Sequence, residues 1–456
     1  MREDRMKGEM QTKDVCGKIN EFAKILRPEA VDFCQRLIRT PAASGHEKAV
    51  ADLYLAEMKK IGYDEIFRDE WGNVIGIING VEPGPTIMYN SHLDQVDPGD
   101  PSAWDGYDPY GASIDVAEAD NQEGTAKERV EVIHGRGAAD VKGGGACQVY
   151  SGKALLKLRH MGYKLKGRFM FTGVVLEESA EQLGMIKLID ETLPAKGLDY
   201  DGVISSEATA LELHLGHRGR VEIRVTVFGR TSHGSAPWLG INAVNKATEL
   251  IERVEHKLAQ QFPADLDLGK SSIALTIINC TPGALCIVPD RCTITYDRRF
   301  IPGETAETCV KEIQDLIDEI SAVDPEFKAV AEVSKNVRTA YTGKSVEVQS
   351  FKEAWKISKD HPFVKAAASA IDTAGQTVKY GYWNFGTDLS KICVADKKPA
   401  IGYSPGQEQY CHTPYDKVRT DYMERGIAGN AAIFLKVTEL PGECFNLDCN
   451  TAGSGL

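Results

Sequence analysis

Short, continuous apolar runs recur along this chain, and helical stretches separate them. Residues 73–79, 86–90, 168–176, 202–206 and 399–403 read as strands with no clear wet face. Between them, residues 29–40, 45–61, 143–162 and 420–438 read as helices; Ala49, Leu53, Tyr54 and Met58 share one helical face. Buried strands alternating with helices predict a largely parallel sheet covered on both faces.

The pattern changes after Gly216. Residues 219–229 (GRVEIRVTVFG) alternate strictly, as a half-exposed strand does. A helix at 242–260, strands at 272–280 and 291–299, and a helix at 305–321 come next. That order predicts a small two-layer α+β domain. Residues 353–363 read as a return linker. From Phe363 the alternation of helices and buried strands resumes: a helix to about 374, a short strand at 378–380 and a helix after Asp388. The expected fold class is therefore α/β, with one domain inserted into another. Residues 217–352 interrupt a domain built from 1–216 and 353–456, and no repeat of 20–50 residues is present.

Charge narrows the partners. The 456 residues carry 66 acidic and 53 basic side chains, a net charge of −13. Such a chain gains little from counterion release, so neither nucleic acid nor an anionic membrane surface is expected. No stretch approaches the ~18–20 apolar residues of a membrane span. The opening MREDRMKGEMQTKD has no apolar core and does not read as a secretory signal. Eleven cysteines are scattered, odd in number and without a CxxC pair. The expectation is a cytoplasmic protein with reduced thiols.

In an open parallel sheet, ligands gather just past the carboxyl ends of the strands. Ser91, His92, Leu93 and Asp94 come after the run TIMYN. Asp140 comes after EVIHGRG, Glu177 and Glu178 after FMFTGVVL, Glu207 after GVISS, and His412 lies beyond PAIGYSPG. Each alone reads as an ordinary loop residue. Together they are an imidazole and carboxylate set without cysteine, which suits Zn²⁺, Co²⁺ or Mn²⁺ at a catalytic site. Two imidazoles and three carboxylates suffice for two ions if one carboxylate bridges, and ions ~3.5–4 Å apart polarise a carbonyl and generate hydroxide from a shared water. Of the adjacent Glu177 and Glu178, one can bind metal while the other serves as general base. Asp94, two residues after His92, points to the same side of an extended chain and can hold the ring nitrogen facing away from the metal.

These residues, with Gly135-Arg136-Gly137-Ala138-Ala139-Asp140-Val141-Lys142-Gly143-Gly144 and Ser404-Pro405-Gly406, resemble the M20 metallopeptidase family in order and spacing from about residue 30 to 440. That family includes acetylornithine deacetylase, succinyl-diaminopimelate desuccinylase, carboxypeptidase G and aminoacylase. The resemblance implies a zinc-peptidase-like catalytic domain with an inserted lid and dimerisation domain. It implies that His92 and Glu207 hold one ion and Glu178 and His412 the other. Asp140 would bridge them, often with a cis peptide after it. Glu177 would be the general base and Asp94 the orienting carboxylate. Thr231-Ser232-His233-Gly234 matches the lid histidine that reaches an active site, often the partner subunit's, and stabilises an oxyanion. Without the family pattern, His233 reads as a turn residue after a strand.

Asp297-Arg298-Arg299 matches the family's DxR segment, and Arg299 could clamp a substrate carboxylate. Cys286 stands where many relatives place an asparagine, and cysteine cannot supply the amide's donor and acceptor. The stretch from Cys286 to Arg299 is more similar to the selenium-metabolism-linked hydrolase branch. Thr387-Asp388 resembles a motif beside the site, with Thr387 lining the substrate or capping a helix. His214 and His217 flank the hinge, where ligand, hinge and substrate-rim roles are all open. Residues 112–131 read as a solvated acidic loop.

Other motifs fail on chemistry. Gly135-x-Gly137 lacks the third glycine of a dinucleotide fingerprint, since Asp140 stands there. The two Gly-Lys-Ser triplets have Ala264 and Arg338 where a phosphate loop needs glycine. The expected activity is hydrolysis of an amide in a dipeptide, N-acyl amino acid or related small molecule by a homodimer carrying two divalent ions, zinc first. The rivals are the same metal chemistry on a carbamoyl or ureido bond, and a non-catalytic small-molecule binder.

Overall fold

The computed structural model describes residues 2–179 and 182–449. Two separate hydrophobic cores organise them. The larger core surrounds a nine-stranded sheet. Its centre is four parallel strands in the order Lys166–Val174, Glu82–His92, Gly202–Ser205, Ala400–Gly402. Val74–Asn79 and Glu65–Arg68 extend one flank antiparallel. Leu213–His217 closes the other flank, with Trp355–Lys356 and Tyr380–Trp383 paired to it. The central strands are buried along almost their whole length, which is why they read as unbroken apolar runs. Helices Arg2–Ile38, Gly143–His160, Pro362–Thr373 and Thr420–Val437 pack on one another in one layer against this sheet. Among the described residues, no helix is long and apolar enough to cross a membrane.

The smaller core lies under an antiparallel sheet ordered Ser272–Thr281, Arg291–Phe300, Gly219–Phe228, Lys328–Val333. Val221, Ile223, Val225 and Val227 supply its buried face, as their alternation requires. Helices Ala243–Arg253 and Ala306–Val323 cover it. Asn242 caps the first of these, and Thr305 and Thr308 form a reciprocal capping box on the second. The chain passes between the cores twice, side by side. His217 pairs with Trp355 on the first sheet, and Arg220 pairs with Lys352 on the second.

Several expectations need correction. Residues 112–131 are not a solvated loop: Ile114–Asp120 and Lys127–His134 form a hairpin, and Lys417–Arg419 adds a third strand. The acidic composition misled because its charges are paired. Asp120 accepts from Lys127 and Tyr410 at 2.7 Å, and Glu128 pairs with Arg419 at 2.6 Å. The return segment 353–363 contains a strand, and its Trp355 is buried. The helix expected at 29–40 is the end of Arg2–Ile38, and the strand expected at 378–380 falls at Tyr380–Trp383. The hairpin Lys335–Thr339 and Ser345–Gln349, inside the inserted segment, packs back on the larger core through Tyr341, Val346 and Val348. Tyr341 lies over Gly72 and donates to its carbonyl at 2.8 Å.

The helix that starts at Gly143 enters against the sheet edge with no room for a side chain. A Cβ on Gly144 would stand 2.5 Å from the carbonyl oxygen of Ser206 and 2.6 Å from Ser404 Oγ. Gly144→Ala is expected to destabilise the protein by about 1–3 kcal/mol through overpacking, read as a lower urea midpoint by circular dichroism. An unchanged midpoint would contradict this packing.

Candidate metal centre

The register of the central strands brings their carboxyl ends level. His92 stands opposite Val174, and Asn90 opposite both Thr172 and Ser205. The chain leaving those strands therefore delivers His92, Glu177 with Glu178, and Glu207 to one place. Asp140 arrives on the loop before helix Gly143–His160. Asp416 holds that loop: it accepts from the N–H of Gly137 at 2.7 Å, of Ala139 at 2.9 Å, and from Arg136 at 3.1 Å. Lys142, buried beneath, donates to Thr40 O at 3.2 Å and to Gln95. The Asp140–Val141 peptide is cis, as the resemblance implied. Leu176 and His412 both have φ of 60°. Side-chain-bearing residues adopt that left-handed conformation only where surroundings enforce it, and such residues cluster at functional sites.

Asp140 sits between two imidazoles. Its Oδ1 is 3.0 Å from His92 Nε2, and its Oδ2 is 3.1 Å from His412 Nε2. Glu207 Oε1 lies 3.9 Å from His92 Nε2 on one side, and Glu178 Oε2 lies 3.1 Å from His412 Nε2 on the other. Asp94 works from behind. His92 Nδ1 is 3.0 Å from its backbone carbonyl and 3.5 Å from its carboxylate. The same carboxylate accepts from the N–H of Glu177 at 3.2 Å, the N–H of Glu178 at 3.1 Å and Ser44 Oγ at 2.6 Å. One buried side chain thus orients an imidazole and the loop bearing both glutamates.

The cluster is short of positive charge. Burial and the neighbouring Asp140 push Glu178 up to about 7. Burial and Glu177 raise Glu207 well above the carboxylate range. His412 is raised to about 10 by its hydrogen bonds to Asp140 and Glu178. Burial opposes a charged ring at His92, yet Asp140 and Asp94 outweigh it and raise that group too. Glu178 Oε1 is a buried acceptor without a hydrogen-bond donor. Candidate ligand atoms of His92, Asp140 and Glu178, and of His92, Glu177 and Glu207, lie within 4.8 Å of one another. Imidazole nitrogens, carboxylate oxygens and a shared central carboxylate fit divalent cations well.

One neighbour of Glu177 escaped the sequence reading, and a second was named there only as part of a motif. Lys352, buried on the last strand of the inserted domain, donates to Glu177 Oε1 and to Gly386 O at 3.3 Å. Asp388 is buried with neither carboxylate oxygen hydrogen-bonded, and burial with the nearby Glu177 charge pushes it up to about 7. The Thr387-Asp388 motif did flag this turn. Within it, Thr387 is wholly buried: its N–H donates to His217 Nε2 at 3.1 Å and its hydroxyl accepts from Leu389 N at 3.2 Å. No comparable sequence signal marks Lys352.

The remaining sequence candidates lie on the inserted domain. His233 is exposed; its Nδ1 accepts from Ser235 N at 3.1 Å, and the residue bridges to Ile287 beside Cys286. Arg299 is paired with Asp297 at 2.6 Å, and Asp297 also binds Arg220 at 2.6 Å.

Comparison with known proteins agrees with this architecture. Residues 215–325 match the peptidase dimerisation domain of M20 proteins. The uncharacterized protein YgeY of Escherichia coli K12 is 32% identical over 419 residues, 91% of this chain and 96% of that protein. The chain belongs to the M20 peptidase family, a family of metal-dependent hydrolases. A tripeptidase from Staphylococcus aureus shares the fold with a TM-score of 0.66 and 19% identity, over 90% of this chain and 98% of that one. The YxeP protein of Bacillus subtilis, described as a dinuclear metal-binding peptidase of the M20 family, superposes with a TM-score of 0.62 at 15% identity, over 91% and 99% of the two chains.

Asp94 gives this centre a direct test. Asp94→Ala is expected to lower divalent-ion affinity about 10–100-fold, because the imidazole and both glutamates lose their common anchor. Competition with a chromophoric chelator measures it. Wild-type affinity in the variant would show that Asp94 does not organise the centre.

Proposed function

We propose that this protein is a dinuclear amidohydrolase acting on a small amide: a dipeptide, an N-acyl amino acid or a close analogue. The observation that carries the reading is the placement of Asp140 between His92 and His412, each with its own glutamate. His92 and Glu207 would hold one divalent ion, His412 and Glu178 the other, and Asp140 both. Zinc suits this donor set best, with cobalt and manganese as close seconds. When bound, the pair would polarise the amide carbonyl and make a water acidic near neutral pH.

The chain's own groups do the rest. Lys352 occupies Glu177 Oε1, which leaves Oε2 of that carboxylate for proton transfer. Glu177 then uses Oε2 to take a proton from the attacking water and hands it to the leaving nitrogen. His233 accepts at Nδ1 from Ser235, so its proton resides on Nε2, which can donate to the carbonyl oxygen as negative charge builds there. Its exposure on the inserted domain suits delivery to the partner's site in a homodimer. The edge strand Ser272–Thr281, with Ile277 and Ile278 exposed, suits that pairing. Arg299 would meet a substrate carboxylate, and Thr387 would hold the turn beside it. All eleven cysteines are free thiols, which suits a cytoplasmic setting.

Glu177→Gln tests the base. It is expected to cut kcat by about 10²–10⁴-fold while two ions per chain are retained, measured by steady-state hydrolysis alongside elemental analysis. Near-normal kcat would remove Glu177 from this role.

A further inference from the structure

No cysteine belongs to the ligand set of the metal centre, and all eleven are free thiols. Two of them meet on the inserted domain. Cys280 on Ser272–Thr281 and Cys292 on Arg291–Phe300 are direct partners in the antiparallel ladder between those strands. Directly opposed residues project from the same face of a sheet. Among the described residues, no other two cysteines share a ladder.

The hydrogen bonding fixes how close the two come. The N–H of Gly229 donates to the carbonyl of Asp290 at 2.7 Å, so Arg291 and Phe228 are a non-hydrogen-bonded pair of the neighbouring ladder. One residue on, Cys292 turns its backbone N–H and C=O toward Val227 and away from Cys280. Cys280 and Cys292 are therefore a non-hydrogen-bonded pair, the closer of the two kinds, with Cα atoms about 4.5 Å apart. A disulfide spans about 4.4–6.8 Å between Cα atoms, so the bond closes without moving the strands. The two thiols differ in setting. Cys280 is exposed on the edge strand, and Cys292 is buried in the smaller core. Burial and the neighbouring Cys280 raise the Cys292 thiol.

The pair stands at the base of the loop 282–290, which Asp290 N–H closes on Thr281 O at 3.1 Å. That loop grips the segment bearing His233. Gly234 N–H donates to Cys286 O at 2.7 Å, Val288 N–H donates to Ser232 O at 2.9 Å, and His233 itself bridges to Ile287.

We propose that Cys280 and Cys292 form a reversible disulfide, a redox staple across the base of the loop that holds the His233 segment. The co-reactant is a small-molecule disulfide, RSSR. The exposed Cys280 thiolate attacks one of its sulfurs, and the first RS⁻ leaves. The Cys292 thiolate then attacks the Cys280 sulfur of the mixed disulfide, and the second RS⁻ leaves. The two cysteine protons end on two RSH, the protein pair loses two electrons, and RSSR gains them. Excess RSH runs the same steps backwards.

The test treats the full chain with glutathione disulfide, alkylates the remaining thiols and maps the peptides by mass spectrometry. The expected result is a peptide linked through Cys280 and Cys292, with the loss of two alkylatable thiols, both restored by dithiothreitol. Cys280→Ser should leave Cys292 alkylatable, and Cys286→Ser should keep the link. A Cys280 that stays free, retains glutathione, joins Cys286 or joins a second chain would overturn the proposal. Hydrogen exchange reads the effect of the staple. Amides of 230–236 and 282–290 are expected to exchange more slowly in the oxidised than in the reduced wild type, with no difference in Cys280→Ser. Equal exchange in the linked protein would refute the hold on the His233 segment.

Discussion

The structure depends on one electrostatic problem: Asp94, Asp140, Glu177, Glu178, Glu207 and Asp388 are gathered at one sheet edge, most of them buried. Two carboxylates about 4 Å apart repel by roughly 4 kcal/mol at the effective dielectric of a protein. Such a cluster persists only if positive charge or fixed donors are built around it. The chain supplies His92, His412 and Lys352 and a set of backbone N–H groups. These do not complete the compensation, as the raised Glu178, Glu207 and Asp388 show. Divalent cations are the natural complement.

The scaffold explains how these groups stay in place. Asp94 and Asp416 each bind more than one backbone N–H, and each fixes a whole loop. Asp94 sets the turn after Lys166–Val174, and Asp416 sets the turn that presents Asp140. The left-handed backbone at Leu176 sits between the strand Lys166–Val174 and the two glutamates whose N–H groups Asp94 holds. Lys352 adds a different connection. It belongs to the inserted domain's last strand, yet its ammonium lies against Glu177. The placement of the inserted domain and the alignment of the Glu177 carboxylate are therefore one structural fact.

Much of this was legible in the sequence, for a physical reason. A parallel sheet puts its functional residues immediately after apolar strands, so the residues just beyond each run pointed to His92, Glu177, Glu178, Glu207 and His412. The alternation of 219–229 likewise announced a second, half-exposed sheet. The features that stayed hidden depend on pairing between distant segments. The hairpin at Ile114–His134 reads as acidic loop because its counter-ions, Lys127 and Arg419, include one nearly 300 residues away in the chain. Lys352 is an ordinary residue until the fold brings it to Glu177, and the Thr387-Asp388 motif gives no sign that Asp388 lies near the same carboxylate.

The central claim is that Asp140 joins two ions into one centre. Electron paramagnetic resonance of the manganese-loaded protein tests it most directly. The account predicts two Mn²⁺ per chain with a spin-coupled spectrum, and loss of the coupling in Asp140→Ala. One ion per chain, or two ions with uncoupled spectra in the wild type, would contradict it.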